Sequence, residues 1–139
     1  NTINSFTAGG VDVSAANILR GSAADLVTAY SAKVAGTIVG LGNEPITVNE
    51  FSTVAQFNVL AANTTGVITV NISNGDMATL NNITESGNAL AITVRDTTVS
   101  AAELITLSSK TTKDITVNSS TIVSLALFNP TSLTSAPSR

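Results

Sequence analysis

Nine carboxylates come nearest to a catalytic set in this 139-residue chain, because it contains no His and no Cys. Two carboxylates held about 5–10 Å apart can hydrolyse a glycosidic bond. The nine are Asp12, Asp25, Glu44, Glu50, Asp76, Glu85, Asp96, Glu103 and Asp114. They fall mostly at expected helix starts and turns, where the helix dipole and exposure to solvent account for them. We therefore predict no catalytic residue and no enzymatic activity.

Metal and cofactor chemistry also lacks its usual residues. Without Cys and His, the common zinc sites cannot form. The sequence has neither the glycine-rich nonapeptide of calcium β-rolls nor a twelve-residue calcium loop. Gly40 and Gly42 are not followed by the Lys-Ser/Thr pair of a phosphate loop. The sequence therefore predicts no metal and no cofactor.

The composition argues against nucleic-acid and membrane partners. The net charge is −3, and only 11% of the residues are charged. The six basic residues are spread along the chain, so no basic patch for nucleic acid is expected. The apolar stretches are far shorter than the ~20 residues of a membrane span, so we predict no membrane insertion. Few Lys, no Cys and many Thr, Ser and Asn are typical of exported bacterial proteins, which favours an extracellular, cell-surface or virion-surface location.

The chain contains a repeated sequence pattern, which must position the candidate residues. The tripeptide Ile-Thr-Val occurs four times, beginning at residues 46, 68, 92 and 115, at spacings of 22, 24 and 23 residues. Each copy is β-branched and alternates apolar and polar side chains, which is typical of a short strand with one buried face. This period lies within the range of leucine-rich-type repeats.

A short helix is expected after each strand, because Ala, Leu and Glu recur there at helical spacing. Asp76 is well placed to cap one of them. Residues 22–28 (SAADLVT) closely match residues 100–106 (SAAELIT), so a further unit opens at residues 11–13 and is lengthened by residues 36–45. We predict an α/β fold: a short right-handed solenoid of about five strand–helix coils with one parallel, leucine-rich-repeat-like sheet.

The coils would start near residues 11, 46, 68, 92 and 115, within one repeat domain of residues 1–128, and residues 129–139 would form a flexible tail rich in Pro and Ser. Stacked coils would place the Ile and Val residues of the tripeptides in two interior ranks. These are Ile46, Ile68, Ile92 and Ile115, and Val48, Val70, Val94 and Val117. Helical residues would close the core from the opposite side. They are Phe57, Leu60, Leu80, Ile83, Leu104 and Leu107.

The strand faces turned away from this core carry the candidate ligand site, in two outward ranks. The first rank is Thr47, Thr69, Thr93 and Thr116, and the second is Asn49, Asn71, Arg95 and Asn118. Such a ladder of hydroxyls and amides could bind a glycan or a surface ligand. The structural interpretation is favoured, because Thr suits a half-buried strand and stacked Asn side chains hydrogen-bond to one another.

An all-β sandwich or a β-solenoid is the alternative fold. Val, Ile and Thr suit the strands of either, and Asn74-Gly75 could form a hairpin turn. The Ala-rich segments at equal phase argue against the sandwich, because Ala is depleted in strands, whereas the choice between helices and extended turns on the return side of each coil stays open.

The ends of the predicted solenoid have weak caps. Residues 2–6 could form a strand that covers or extends one end, whereas Val123, Leu125, Leu127 and Phe128 keep the other end apolar. A solenoid normally needs polar capping repeats, because its last coil exposes a sheet edge and a core face. Weak caps indicate either a place within a longer array or end-to-end contact between copies.

The pattern also resembles a known group of repeats. The residues that carry this likeness are the segments 22–26 (SAADL), 40–44 (GLGNE), 46–48 (ITV), 101–104 (AAEL) and 111–112 (TT). They resemble degenerate repeats of very long secreted or surface proteins of cyanobacteria and other aquatic bacteria, and of some phage structural proteins. This resemblance covers most of residues 11–125 and implies an extracellular structural, adhesive or appendage role.

Two functions follow as expectations. The first is a non-enzymatic structural module of an extracellular bacterial or phage assembly, such as a fibre, surface layer or appendage, whose partners are adjacent repeats or further copies that join at the solenoid ends. The alternative is an adhesive or glycan-binding module that uses the outward Thr and Asn ladder.

Overall fold

The computed structural model describes Phe6, residues 9–118 and residues 121–123, with strands and helices alternating along the chain. The strands are β1 (Val11–Asp12), β2 (Leu19–Gly21), β3 (Ile38–Val39), β4 (Ile46–Ser52), β5 (Ile68–Ile72), β6 (Ala89–Val94), β7 (Thr98–Ser100), β8 (Ile115–Val117) and β9 (Thr121–Val123). The helices are α1 (Ala23–Val34), α2 (Val54–Ala61), α3 (Met77–Leu80) and α4 (Ala101–Ser108).

Five strands form one open main sheet in the order β2-β4-β5-β6-β8, and every pairing in it is parallel. Two small parallel sheets, β1 with β3 and β7 with β9, accompany it. Parallel neighbours need a crossover connection, and between most main-sheet neighbours this connection contains a helix. The prediction of an α/β fold with a parallel sheet is confirmed, and the helices contradict the all-β alternatives.

The helices begin where a polar side chain accepts a hydrogen bond from the backbone amide three residues later. The caps are Ser22 for α1, Thr53 for α2, Asp76 for α3 and Ser100 for α4. At Thr53 and Ser100 the third helical residue, Gln56 or Glu103, bonds back to the cap amide and completes a capping box. The similar segments 22–28 and 100–106 therefore start helices in the same way.

Side chains that follow a later strand complete the start of an earlier helix. The Asn74 Oδ1 atom accepts from the Val54 amide at 2.9 Å, and the Asp96 Oδ2 atom accepts from the Met77 amide at 2.6 Å. Both amides belong to a first helical turn, whose donors have no partner within the helix. Asn74 therefore caps α2, and the predicted hairpin at Asn74-Gly75 is wrong because β5 pairs only in parallel among the described residues.

Polar side chains also tie neighbouring strands together where the strands begin. The Asn88 Oδ1 atom accepts from the Ile68 amide at 2.8 Å, and the Thr111 Oγ1 atom accepts from the Leu90 amide at 3.0 Å. The hydrogen bonding between successive strands that we expected from outward Asn residues is therefore made at the strand ends instead.

The core lies between the main sheet and the helices, and its predicted composition is mostly correct. Eleven of the fourteen predicted residues are buried: Ile46, Val48, Phe57, Leu60, Ile68, Val70, Leu80, Ile83, Ile92, Val94 and Leu107. The other three, Leu104, Ile115 and Val117, are half-buried and pack against the core from its last strand and helix. Leu90 and Tyr30 are also fully buried, although the tripeptide pattern does not include them.

The interior Ile rank is not continuous. Ile46 pairs with Ile68, and Ile92 pairs with Ile115, as the repeat predicts. Between β5 and β6, however, Val70 lies opposite Leu90, so Ile92 lies four residues beyond the position opposite Ile68. The shift is an even number of residues, which keeps the same side chains facing the core.

The main sheet begins later than the first predicted unit. Val11 pairs with Ile38 in the small sheet, and the strand that pairs with Ile46 begins at Leu19. Of the predicted N-terminal strand at residues 2–6, only Phe6 is described, and it is exposed and not in a strand. Leu125, Leu127, Phe128 and the predicted tail at 129–139 lie outside the described residues.

Candidate functional site

The outward face of the main sheet holds the predicted Thr rank, but the strand register divides it. Thr47 lies opposite Thr69, and Thr93 lies opposite Thr116. Between these pairs, Thr69 lies opposite Ala89, because β6 begins three residues before Ile92. The prediction of one continuous rank of four Thr residues is therefore wrong, and the hydroxyls form two separate pairs.

A bulge breaks the second rank. Between paired positions, β4 runs from Thr47 to Phe51, whereas β5 runs only from Thr69 to Asn71. The two extra residues of β4 put Phe51, rather than Asn49, opposite Asn71. Asn49 is exposed within this bulge. The predicted Asn49–Asn71 pair is replaced by an aromatic ring beside an amide.

Arg95 and Asn118 lie beyond the ends of their strands. The Arg95 amide donates to the Gly75 carbonyl at 2.7 Å, and its guanidinium donates to the Ser73 carbonyl at 3.2 Å. A Cβ atom at Gly75 would lie 2.9 Å from Arg95 Cγ, so the arginine stem lies directly over this glycine. The Asn118 amide donates to the Val94 carbonyl at 2.9 Å. Neither residue extends the ladder across the sheet.

The rearranged face offers neutral recognition chemistry. Phe51 is 66% exposed on it. Its register neighbours on the same face are Asn71 and then Ala91, and the preceding row contains Thr47 and Thr69. Phe51 is not among the site residues predicted from the sequence. The only sequence signal is an aromatic residue three positions after Val48, at a place where the other Ile-Thr-Val copies carry polar or small residues.

A second polar site, which the sequence did not predict, surrounds Glu44. This side chain is only 4% exposed, so the expectation that the carboxylates lie at exposed turns is wrong for Glu44. Its Oε1 atom accepts from the Tyr30 hydroxyl. Its Oε2 atom accepts from the amides of Gly42 at 2.6 Å and Asn43 at 3.1 Å. The carboxylate is thus held by three donors from α1 and from the loop before β4.

Opposing effects act on the charge of this site. Burial disfavours the Glu44 carboxylate, but the hydrogen bonds from Tyr30, Gly42 and Asn43 outweigh it and hold the pKa of Glu44 below its ordinary value. Burial and the bond to Glu44 raise the pKa of Tyr30. At neutral pH, Glu44 is therefore an anion and Tyr30 a neutral donor.

The Glu44 backbone joins the same region to the loop before β5. The Thr64 hydroxyl donates to the Glu44 carbonyl at 3.0 Å, and the same hydroxyl accepts from the Gly66 amide at 3.0 Å. A Cβ atom at Gly66 would overlap the Glu44 carbonyl, so only glycine fits there. Within the described residues, no buried side-chain N or O atom lacks a hydrogen-bond partner. The Glu44 site thus acts as a brace between three segments of the fold.

A groove of about 450 Å³ lies beside this brace and is lined mainly by residues 61–68 and 85–88. Several of its polar side chains already have partners. The Asn63 Nδ2 atom donates to the Val59 carbonyl at 2.7 Å, and Asn88 accepts from the Ile68 amide. The groove therefore presents few free hydrogen-bonding groups to a ligand.

Several other carboxylates act as caps. Hydrogen bonds from Ser14, Thr79 and Ser100 lower the pKa values of Asp12, Asp76 and Glu103, respectively. Within the part of the chain that the structure describes, no three Asp or Glu residues lie close enough together to hold a metal ion. The nine candidate carboxylates are thus distributed over separate structural positions.

The last strand and helix leave an apolar groove of about 320 Å³. Leu104, Ile115 and Val117 line it, with Lys113 and Asp114 at the strand start. All three apolar residues are half-buried, in contrast to the buried residues at the equivalent positions of the central strands. This end of the core is therefore incompletely covered by the residues described.

No helix among the described residues has the length and apolar character needed to cross a membrane. Comparison of the chain with protein-family models gives no match, and comparisons with curated proteins and with solved structures also give none.

Proposed function

We propose that the chain is a non-enzymatic structural module of an extracellular bacterial or phage assembly, built as an α/β solenoid whose ends associate with further copies or adjacent repeats. One observation carries the proposal: among the described residues the core is open at the last strand of the main sheet, where Leu104, Ile115 and Val117 are half-buried. Covering these side chains with another strand–helix unit would remove apolar surface from water.

The number of residues between paired strands supports the solenoid. β1 pairs with β3, and β2 pairs with β4. The two pairs have the same separation along the sequence, since Val11 faces Ile38 and Leu19 faces Ile46. β6–β8 and β7–β9 also share one separation, as Ile92 faces Ile115 and Thr98 faces Thr121. In each case two strands of one coil pair with two strands of the next coil at the same sequence interval, as expected for a repeated coil.

The edges of the main sheet support association. β2 and β8 are its end strands, and each is paired on one side only among the described residues. An unpaired strand edge is a template for another strand. Addition of β2 from a second copy to β8, with Leu19 facing Ile115, would continue the sheet in parallel and cover the open groove. The extracellular location rests on composition and on the resemblance to surface-protein repeats.

Engineered disulfides test this assembly, because the chain has no native Cys. In the variant Arg20→Cys with Thr116→Cys, the two thiols are on the first and last main-sheet strands, which lie about 19 Å apart at the usual strand spacing, and the register shift between β5 and β6 separates them further. A disulfide needs Cα atoms roughly 4.4–6.8 Å apart, so this pair can close only between copies. We expect a ladder of covalent oligomers after oxidation, seen by non-reducing electrophoresis.

The matched control is Thr93→Cys with Thr116→Cys, which lie opposite each other on neighbouring strands and should close within one chain. Oxidised monomer from both variants, together with a monomeric wild-type protein in sedimentation at high concentration, would contradict the proposed assembly.

A further inference from the structure

The feature that the proposed assembly leaves unexplained is Phe51. Its ring is 66% exposed on the outward face of the main sheet, although a Phe side chain contributes most to stability when it is buried. Asn71 lies between the buried residues Val70 and Ile72, and Phe51 faces Asn71, so both side chains lie on the outward face. The fold gains little from this aromatic ring.

The bulge in β4 is what brings the ring to this place. Without the two extra residues between Thr47 and Phe51, the residue opposite Asn71 would be Asn49. Bulges re-aim side chains and are frequent beside functional sites. The local distortion thus exchanges an amide pair for an aromatic ring beside an amide.

Outside its own row the ring has two charged neighbours: Glu50, exposed beside it in the bulge, and Arg95, whose guanidinium donates to the Ser73 carbonyl. The row that contains Phe51 continues through Asn71 to the small residue Ala91. The preceding row contains Thr47, Thr69 and Ala89, with Arg20 at the sheet edge as the charged residue of these rows. Small neighbours leave the ring accessible, and the Asn and Thr side chains offer both donors and acceptors.

The size of the face selects the kind of ligand. Five strands at about 4.8 Å spacing, with about five residues each at about 3.3 Å rise, give a face of about 400 Å². A stable protein partner needs about 800 Å² on each side. The face is therefore too small for a stable protein interface but matches a few sugar rings.

We propose that this face binds a neutral hexopyranose oligosaccharide, with one sugar ring stacked on Phe51 and its hydroxyls hydrogen-bonded to Asn71 and to the neighbouring Thr hydroxyls. The axial C–H groups of a pyranose form an apolar surface that fits the face of an aromatic ring, and its equatorial hydroxyls reach the adjacent polar side chains. The Asn and Thr side chains suit an uncharged ligand, and the exposed Glu50 beside the ring would repel an anionic one.

Nuclear magnetic resonance of the full chain tests the site with two neutral probes, cellohexaose and maltohexaose, and one anionic probe, hexagalacturonate. We expect at least one neutral probe to shift the Phe51 ring and Asn71 side-chain signals, with a dissociation constant of about 1 mM. Phe51→Leu, which keeps an apolar side chain but removes the ring, should weaken binding at least about tenfold. Phe51→Tyr should keep it.

The matched control is Ile105→Ala, because Ile105 is 71% exposed on α4 and lies outside the outward face. It should leave the affinity unchanged. Three results would overturn the proposal: no shift with either neutral probe at about 10 mM, an equal or larger response to hexagalacturonate, or equal binding by Phe51→Leu. Shifts of Phe51 that depend on protein concentration without sugar would show that a second copy covers the face instead, and would also overturn it.

Discussion

Leu26 of α1 and Leu104 of α4 occupy the same place in two similar segments, yet Leu26 is buried and Leu104 is half-exposed. Around α1, the Glu44 brace and the apolar residues Ile38 and Leu41 bury Leu26, and a smaller groove of about 230 Å³ lies beside them. Around α4, the last strand leaves an open groove. Similar segments therefore differ in burial because of what packs against them, and the less buried one lies at the end where we propose that another unit associates.

The largest expected effect separates these two leucines. Leu26→Ala should lower the free energy of unfolding by about 2–5 kcal/mol, because it removes buried methyl groups and leaves a cavity. Leu104→Ala should cost only about 1 kcal/mol, because part of its side chain is already in water. Chemical denaturation of both variants measures the difference. Equal losses would show that the core is covered equally at both ends.

The second effect concerns the brace alone. Glu44→Gln should lower the free energy of unfolding by about 2 kcal/mol, because the neutral amide weakens three hydrogen bonds to a charged acceptor. Glu50→Gln is the matched control, since Glu50 is exposed in the β4 bulge and should change stability by less than about 0.5 kcal/mol.

The pH dependence of the same pair sharpens this prediction. The pKa of Glu44 is lower in the folded state than its ordinary value of 4.5, so its ionisation stabilises the fold above that pH. The stabilisation is lost as the pH falls through the folded-state pKa. The gap in the free energy of unfolding between wild type and Glu44→Gln should therefore narrow in acid. A gap that stays constant from pH 7 to acid would show that the charge of Glu44 is not what stabilises the brace.

The smallest expected loss in the free energy of unfolding should be the same at the turn before β5 and at the turn before β8. Thr64 and Thr111 close equivalent turns, and each hydroxyl accepts from the backbone amide two residues later. Thr64→Val and Thr111→Val should each cost about 1 kcal/mol, measured by thermal or chemical unfolding. A much larger loss at Thr64 would mean that the turns, as well as the core, differ between the two regions.

Local patterns in the sequence predicted the elements and most of the core. The Ile-Thr-Val copies became β4, β5, β6 and β8, because β-branched alternation depends only on neighbouring residues. The helix starts at Ser22 and Ser100 followed from matching segments with polar caps.

Features set by contacts between distant residues could not be predicted in this way. The β5–β6 register depends on Asn88, whose side chain binds the Ile68 amide. The burial of Glu44 depends on Tyr30, fourteen residues earlier. Phe51 became a candidate only when its opposite residue on β5 was known. In each case the partner residue lies too far away in the sequence for a local periodic pattern to reveal the contact.

The caps that Asn74 and Asp96 supply to earlier helices also affect the order of folding during synthesis. The Val54 amide receives its partner only after residue 74 has been made, and the Met77 amide only after residue 96. Each of these helices therefore leaves the ribosome with an incomplete first turn and gains its last hydrogen bond about one strand later. Stability is thus acquired progressively from the N-terminal side, and a nascent chain that stalls would hold its newest helix only loosely.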